Sequence, residues 1–233
     1  MTLNGGTILP KRHDPIHERL LIGFLLTLAG GALDAYTYLN HGQVFAGLQT
    51  GNVILLTLHL ANGNWPLVGH YLMPILAFAI GIFATVSIEH YFQKNRQFQW
   101  QQIVLILEII GLIAVALLNN HWQDLWITCL ISIVAALQYQ TFRRIKGRPF
   151  TTIMATGNIR NIAVFLWLAL LKREPQKLHQ AGESLLIVLA FMLGALISGL
   201  LTPLWHQLTV LFIVLDLIII LGLLQWATHR GLQ

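Results

Sequence analysis

Thr50-Gly51-Asn52 begins the apolar run of residues 53–61, and Thr156-Gly157-Asn158 begins the apolar run of residues 159–171. Each tripeptide follows a stretch that is polar or contains glycine, although that stretch lies between hydrophobic segments. The two copies are separated by nearly half of the 233-residue chain. This arrangement indicates two related halves, each with a short hydrophobic segment that starts at the tripeptide.

The composition predicts a membrane protein. Hydrophobic residues make up 56% of the chain and charged residues 10%, and the mean hydropathy is +0.67. A soluble domain carries about a quarter charged residues, so most of this surface must face lipid. The net charge is +5, but the Lys and Arg residues form short clusters between apolar runs. Such clusters determine membrane topology and do not indicate a nucleic-acid-binding face.

Eight hydrophobic segments follow a polar arm at residues 1–17. The first is too long for the apolar core of a signal peptide, so we interpret it as an uncleaved transmembrane helix. We predict two membrane repeats, at residues 18–120 and 121–228, and a tail at 229–233. The six long segments are 19–39, 67–92, 100–118, 125–142, 182–201 and 205–228, and the two short ones are those that follow the tripeptides.

Three further matches support a duplication. The sequence around Asp34 resembles that around Gln138, and Glu108 in the first half corresponds to Asp216 in the second. Leu76-Ala77-Phe78, followed by Gly81, corresponds to Leu189-Ala190-Phe191, followed by Gly194. The matches occur in the same order in both halves, as a duplication requires.

The basic residues select a topology. If all eight segments crossed the membrane, as four plus four spans, Lys and Arg would divide almost equally between its two sides. If the two short segments enter and return, nearly all of them lie on one side, and Arg160 is the exception. We therefore predict an all-α membrane protein with six transmembrane helices and two re-entrant half-helices, arranged as a 3+3 inverted repeat. Both termini are predicted to be cytoplasmic, and the eight-span layout is the alternative.

The tripeptides suit the start of a half-helix inside the membrane. Thr and Asn cap free backbone N–H groups, and Gly permits close approach of the backbone. Two helix N-termini that face one cavity favour an anion or a carbonyl-type solute. The alternative is that each tripeptide caps an ordinary helix. The residues predicted to bind solute are Asp34, Thr50, Gly51, Asn52, Gln138, Thr156, Gly157 and Asn158.

Three carboxyl groups lie inside apolar runs, on Asp34, Glu108 and Asp216. Acidic residues in such places are costly and usually mark ion or proton paths. We predict that Asp34 couples transport to a proton, and that Glu108, Asp216 and Arg160 take part in coupling or in an ion pair. The alternatives are neutral acids that hydrogen-bond neighbouring helices and an Arg160 that extends to the membrane surface.

No motif indicates catalysis. The chain has no HExxH sequence, no nucleophile elbow and one cysteine, Cys129. These observations predict that the protein is not an enzyme and holds no metal or cofactor.

Two sets of residues carry a family resemblance. The first is Ala29-Gly30-Gly31-Ala32-Leu33-Asp34-Ala35, with Val44-Phe45 and Thr50-Gly51-Asn52 after it, and the second is Ala136-Leu137-Gln138, with Thr151-Thr152 and Thr156-Gly157-Asn158 after it. Together they resemble the signatures of the YoaK-like bacterial membrane proteins, a family of unknown function. The resemblance implies a bacterial inner-membrane protein and no particular substrate.

We expect a small secondary transporter whose partners are the lipid bilayer and an unidentified solute or ion, with a proton as the candidate coupling ion. A passive channel is the second hypothesis. A membrane scaffold or assembly protein without transport activity is the third.

Overall fold

The computed structural model describes residues 15–93, 99–118, 122–153 and 155–230. Most of the predicted N-terminal arm and the last three residues of the predicted tail lie outside these ranges. Within them the chain forms eight α-helices: α1 Leu20–Asn40, α2 Gln49–Ala61, α3 Trp65–Gln93, α4 Trp100–Leu118, α5 Asp124–Thr141, α6 Ala155–Leu171, α7 Pro175–Trp205 and α8 Val210–His229. Short 3₁₀ turns occur at Ile16–Glu18 and His206–Thr209, and strands β1 Arg144–Ile145 and β2 Arg148–Pro149 form a hairpin.

The helices are those of a membrane protein. Four helical stretches of the described chain are long and apolar enough to cross a bilayer: Leu20–Asn40, Trp65–Phe92, Trp100–Leu118 and the 55-residue stretch Pro175–His229. The last comprises α7 and α8, which are separated at His206, where φ is 48°. Large apolar side chains such as Ile80, Phe83 and Leu200 are exposed on the helix surfaces. Lipid is the medium in which that exposure carries no hydrophobic cost.

Helix α1 lies at the centre of the bundle. It packs extensively against α7 and also contacts α5 and α8, whereas α3 packs extensively against α5. The short helices lie outside this centre, with α2 on α3 and α6 on α7, and α4 joins α5 and α8. Fully buried side chains between α1, α4, α5 and α8 form the core, including Leu26, Leu105, Leu112, Ile131, Ile213 and Leu217.

Glycines allow helices to approach closely at two of the contacts that build the bundle. A Cβ atom on Gly194 of α7 would stand 1.9 Å from the carbonyl oxygen of Leu28 on α1. A Cβ atom on Gly81 of α3 would stand 2.9 Å from the carbonyl oxygen of Ile133 on α5. Both approaches require a residue without a side chain, as is usual where membrane helices associate by packing.

One end of the bundle, the hairpin end, collects the charged side chains. The hairpin turns at Lys146 and Gly147, and the backbone N–H of Gly147 donates to Glu18 Oε2 over 2.8 Å. Glu183 of α7 contacts Lys146 and Arg148, and its Oε1 lies 3.2 Å from His179 Nε2. Arg143 pairs with Glu89 of α3 at 3.4 Å.

The opposite end contains a buried histidine. His41 follows α1, is inaccessible to solvent, and its Nδ1 lies 3.2 Å from Asp124 Oδ1 at the start of α5. Its Nε2 lies 3.4 Å from the hydroxyl oxygen of Tyr36, and that hydroxyl donates to the carbonyl oxygen of Gln207 between α7 and α8. These contacts join the ends of four helices at one place.

Candidate functional site

The segment between α1 and α2, residues 41–48, is the first loop. After α1 ends, this loop runs back along it, so that Gly47 lies beside Asp34. The carboxylate oxygen Oδ1 of Asp34 accepts hydrogen bonds from the backbone N–H groups of Gly47, at 2.6 Å, and Leu48, at 3.4 Å. Leu48 is the N-cap residue of α2, so Asp34 supplies the anion that a helix start favours.

Two more side chains hold the first loop. The hydroxyl of Thr37 accepts a hydrogen bond from the N–H of Ala46 at 3.1 Å. The amide of Asn52 accepts from the N–H of Phe45 at 2.9 Å and donates to the carbonyl oxygen of Phe45 at 2.7 Å. Irregular backbone inside a membrane is stable only when its polar groups are paired in this way. Asn52 is accordingly buried, and it also donates to Gln49.

Residues 142–153, which follow α5 and precede α6, form the second loop. Beyond the hairpin it follows α1 from the other end, because a Cβ atom on Gly30 would lie 2.7 Å from the carbonyl oxygen of Thr152. The amide of Asn158 donates to the carbonyl oxygen of Thr151 at 3.4 Å, across the same seven-residue interval that separates Asn52 from Phe45. The two Asn residues therefore hold their loops in similar ways.

The two loops meet halfway along α1. A Cβ atom on Gly47 would lie 1.8 Å from Cγ2 of Ile153, so only glycine fits there. Gly47 lies two residues before α2, and Ile153 lies two residues before α6. The starts of the two short helices thus approach each other inside the bundle.

Asp34 also borders an apolar groove of about 300 Å³ between α1, the first loop and α7. Its second oxygen, Oδ2, is buried and has no hydrogen-bond partner among the described residues. The rings of Tyr38 and Phe45 are stacked with their centroids 5.1 Å apart. The lining residues are Gly31, Asp34, Ala35, Tyr38, Leu39, Phe45, Leu48, Phe191 and Ala195.

The second half differs at the corresponding place. Gln138, the counterpart of Asp34, donates from its amide to the carbonyl oxygen of Leu26 on α1 at 2.7 Å. Tyr139 takes the position of Ala35, and its ring lies 5.7 Å from that of Phe78, the counterpart of Phe191. The residue that the sequence match places opposite Ala35 is therefore a large one, and it contacts the residue matched to Phe191.

The remaining predicted site residues lie elsewhere. Thr50, Thr156, Gly157 and Arg160 are exposed on α2 and α6, and Gly51 is partly buried beside the Phe45 ring. Glu108 of α4 is fully buried, and neither of its carboxylate oxygens has a partner among the described residues. The same is true of Oδ2 of Asp216 on α8, a helix that packs against α4. The structure thus brings Asp34 and Asn52 to one loop and places Glu108 and Asp216 on a separate pair of helices.

Sequence reasoning missed three contributors to this site: Gly47 and Ile153, where the loops meet, and Ala35, which leaves the groove open. The alignment of the two halves already contained one usable signal, since it places Ala35 opposite Tyr139. Within the described ranges no three His, Cys, Asp or Glu residues are arranged to hold a metal ion.

Comparisons with known proteins concern the whole chain. A family model described as "Protein of unknown function (DUF1275)" matches residues 22–224. The UPF0700 transmembrane protein YoaK of Bacillus subtilis (strain 168) is 25% identical over 213 residues, which cover 87% of this chain and 91% of that protein. No solved structure gives a significant match.

Proposed function

The chain belongs to the DUF1275 family, whose model spans residues 22–224, and from this premise we propose that it transports a small solute across a bacterial inner membrane. The observation that carries the proposal is the meeting of two loops halfway along α1, beside a buried acid and a groove. Broken helices whose starts converge at mid-membrane, next to an ionisable group, are typical of secondary transporters.

The path of α2 supports a re-entrant first segment. Near the end of α2, the ring of His59 stacks on that of Tyr71 in α3 at 5.5 Å. The neighbouring His70 lies with its Nε2 3.1 Å from the carbonyl oxygen of Gly42, just after α1. Helices α1 and α2 therefore end at the same end of the bundle, as expected of a segment that enters the membrane and returns.

The path of α6 supports the same layout in the second half. Arg148 of the hairpin contacts Glu183 near the start of α7 and lies over the ring of Phe165, 5.8 Å from its centroid. Phe165 belongs to α6, so this helix runs from the loop contact at Ile153 back toward the hairpin end. With both short helices re-entrant, six spans remain.

The helix contacts fit an inverted repeat. Pairing the first four helices with the last four makes the α1–α7 contact equivalent to the α5–α3 contact, and α2–α3 equivalent to α6–α7. Gly194 and Gly81, which the sequence aligns, occupy corresponding places, since Gly194 lies in the α1–α7 contact and Gly81 in the α3–α5 contact. Each half contributes three spans, an odd number, so the halves would be oppositely oriented.

The charge distribution supports a cytoplasmic hairpin end. Within the described ranges, every Lys and Arg except Arg160 belongs to residues 19, 143–148, 172–177 and 230, which lie at or next to that end in the proposed layout. The positive-inside rule places such an end in the cytoplasm, and both termini with it.

In the proposed mechanism the groove at Asp34 binds the solute, and separation of the first and second loops exposes it to one side and then the other. Asp34 is the coupling carboxylate, with Gln138 as its counterpart, and Asn52 and Asn158 keep the loops ordered. Thr50, Gly51, Thr156 and Gly157 complete the starts of α2 and α6. Glu108, Asp216 and Arg160 are proposed to act in a secondary ion pair or proton path. The proposal includes no catalytic step and no cofactor.

Accessibility of Ile153 tests the proposal without knowledge of the solute. On a Cys129→Ser background, Ile153→Cys is treated with a charged, membrane-impermeant thiol reagent in vesicles of either orientation. Alternating access predicts labelling from both sides. Ile131→Cys, buried in the core on α5, is the control and should react from neither side. Labelling of Ile153→Cys from one side only, or from neither, contradicts transport through this point.

Proton coupling is tested in proteoliposomes that contain a pH-sensitive dye, across a panel of solutes. Wild type should move protons with the transported solute, and Asp34→Asn should not. Equal proton movement by the two proteins contradicts coupling through Asp34.

A scaffold without transport activity is the second candidate, because the Asn52 side chain uses its hydrogen bonds to hold Phe45 and Gln49 beside it. Under this hypothesis Asn52→Ala lowers stability by about 1–3 kcal/mol, since it leaves polar groups of Phe45 unpaired, and solute flux is absent from wild type as well. Thr57→Ala, which removes a hydroxyl bonded only to carbonyls of its own helix, is the control for stability.

A further inference from the structure

The groove beside Asp34 is lined by a single acidic side chain and otherwise by mostly apolar ones. Among its lining side chains, Asp34 carries the acidic group, and the rest are apolar or aromatic apart from the hydroxyl of Tyr38. Oδ1 of Asp34 is engaged by the backbone of the first loop, whereas Oδ2 is buried without a partner in the described chain. The groove therefore combines one carboxyl group with aromatic side chains.

This composition changes the solute that the site favours. The sequence led us to expect an anion or a carbonyl-type solute at the starts of the two short helices. At the start of α2, however, the protein itself supplies an acidic group, the Asp34 carboxyl. A second anion would be repelled by the carboxylate. A metal cation would require several oxygen ligands, and a primary ammonium would leave donors unpaired among apolar side chains.

We propose that the groove binds a small quaternary or tertiary organic ammonium ion, with its charge next to Asp34 and its alkyl groups against Tyr38, Phe45 and Phe191. Such an ion needs few hydrogen bonds, is weakly hydrated, and is attracted to aromatic faces as well as to a carboxylate. This inference rests on the proposed transport function, since it names the solute class of the same site.

The probe is a matched pair of ligands, choline and 3,3-dimethylbutan-1-ol, which has a neutral carbon in place of the quaternary nitrogen. Binding of labelled choline to the purified full chain in nanodiscs is measured, with the neutral analogue as competitor. We expect saturable choline binding and at least about tenfold weaker binding of the neutral analogue. Equal affinities, or no saturable choline binding, would overturn the proposal.

Two variants test separately the contribution of the Asp34 charge and that of the open groove volume. Asp34→Asn keeps an oxygen that can accept from Gly47 and Leu48, and it should remove the preference for choline over the neutral analogue. Ala35→Tyr copies the residue at the corresponding position of the second half, keeps Asp34, and should abolish binding of both ligands by filling the groove. Asp124→Asn, which removes an acid at the start of α5 that does not line the groove, should bind choline as wild type does.

Retention of the choline preference by Asp34→Asn, or unchanged binding by Ala35→Tyr, would overturn the assignment. The outcome is independent of the test at Ile153. If choline binds but Ile153→Cys is labelled from one side only, the ammonium site is supported and the transport function is contradicted. If Ile153→Cys is labelled from both sides but choline does not bind, the transport function is supported and the ammonium ion is contradicted as its solute.

Discussion

At the scale of single residues, the fold depends on positions where a side chain is absent or is fully paired. Gly194 and Gly47 each face another part of the chain at a distance that excludes a Cβ atom. Asp34 and Asn52 have a different role, because their side chains form hydrogen bonds with backbone groups of the first loop. Such residues stabilise the protein through the contacts that they permit, and their burial of apolar surface matters less.

Gly194→Ala tests this view on α7. The new methyl group would collide with the backbone of Leu28, which cannot move without separating α1 from α7. We expect a loss of about 1–3 kcal/mol of unfolding free energy, measured by reversible denaturation in micelles.

Gly199→Ala is the matched control, because Gly199 lies further along the same helix and a Cβ atom there would meet no other atom within 4 Å. It should be neutral or stabilise the helix by about 0.5–1 kcal/mol, the usual difference between Gly and Ala. Equal effects of the two substitutions would show that close packing at Gly194 does not limit stability.

At the scale of elements, each predicted segment is a helix in the structure, because hydropathy reports directly on membrane helices. The largest difference is in α7, which begins at Pro175 although the predicted segment begins at residue 182. The two short segments became α2 and α6, and the all-α membrane class is confirmed. The paths of the loops could not be predicted, since the hydrogen bonds from Asp34 to Gly47 and Leu48 depend on tertiary contacts. The groove was missed for the same reason: it exists because Ala35 faces Phe191 across two helices that are distant in sequence.

Cysteine labelling tests the path of the second short helix. On the Cys129→Ser background, Arg144→Cys and Lys172→Cys bracket α6, and both should react with an impermeant reagent from the cytoplasmic side. Asn64→Cys, between α2 and α3, should react from outside. If Arg144→Cys and Lys172→Cys react from opposite sides, α6 crosses the membrane and the eight-span layout is correct.

The contacts of His41 predict a pH dependence at the opposite end. Burial lowers the pKa of His41 below its usual value, and Asp124 opposes this effect only in part. Protonation is therefore favoured in the unfolded chain, whose histidines titrate near about 6.5. Stability is full above that pH and falls as the pH drops below it.

We expect the midpoint of thermal unfolding to fall between pH 7.5 and pH 5 more in wild type than in His41→Gln. Both proteins are measured in the same detergent, and the difference between their two shifts isolates His41. A shift of the same size in both would mean that other groups carry the pH dependence.

At the scale of the whole molecule, the two halves are interleaved. The most extensive contact of helix α1 is with α7, and that of α3 is with α5. Each half alone would leave small-residue faces, such as the one at Gly31 and Ala32, without the helix that they fit. The stability of one half therefore depends on the presence of the other.

Separate expression of residues 1–120 and 121–233 tests this dependence. Each fragment alone should be degraded or aggregate, and the pair should co-purify through a tag on one of them. Gly194→Leu in the second fragment should reduce co-purification, and Gly199→Leu should do so less. Stable recovery of either fragment alone would show that the halves fold independently.

The contact between Gly47 and Ile153 bears on how the chain could have arisen by duplication and fusion of one half. These residues are separated by the same interval as Thr50 and Thr156, so in the proposed inverted repeat each faces its own counterpart. In an ancestor made of two identical, oppositely inserted copies, that place would have held the same residue twice, and two isoleucines would collide while two glycines would leave a gap. Gene fusion removes this restriction, because a joined chain can place a large residue on one side and none on the other. The pairing of glycine with isoleucine is what such a fusion allows.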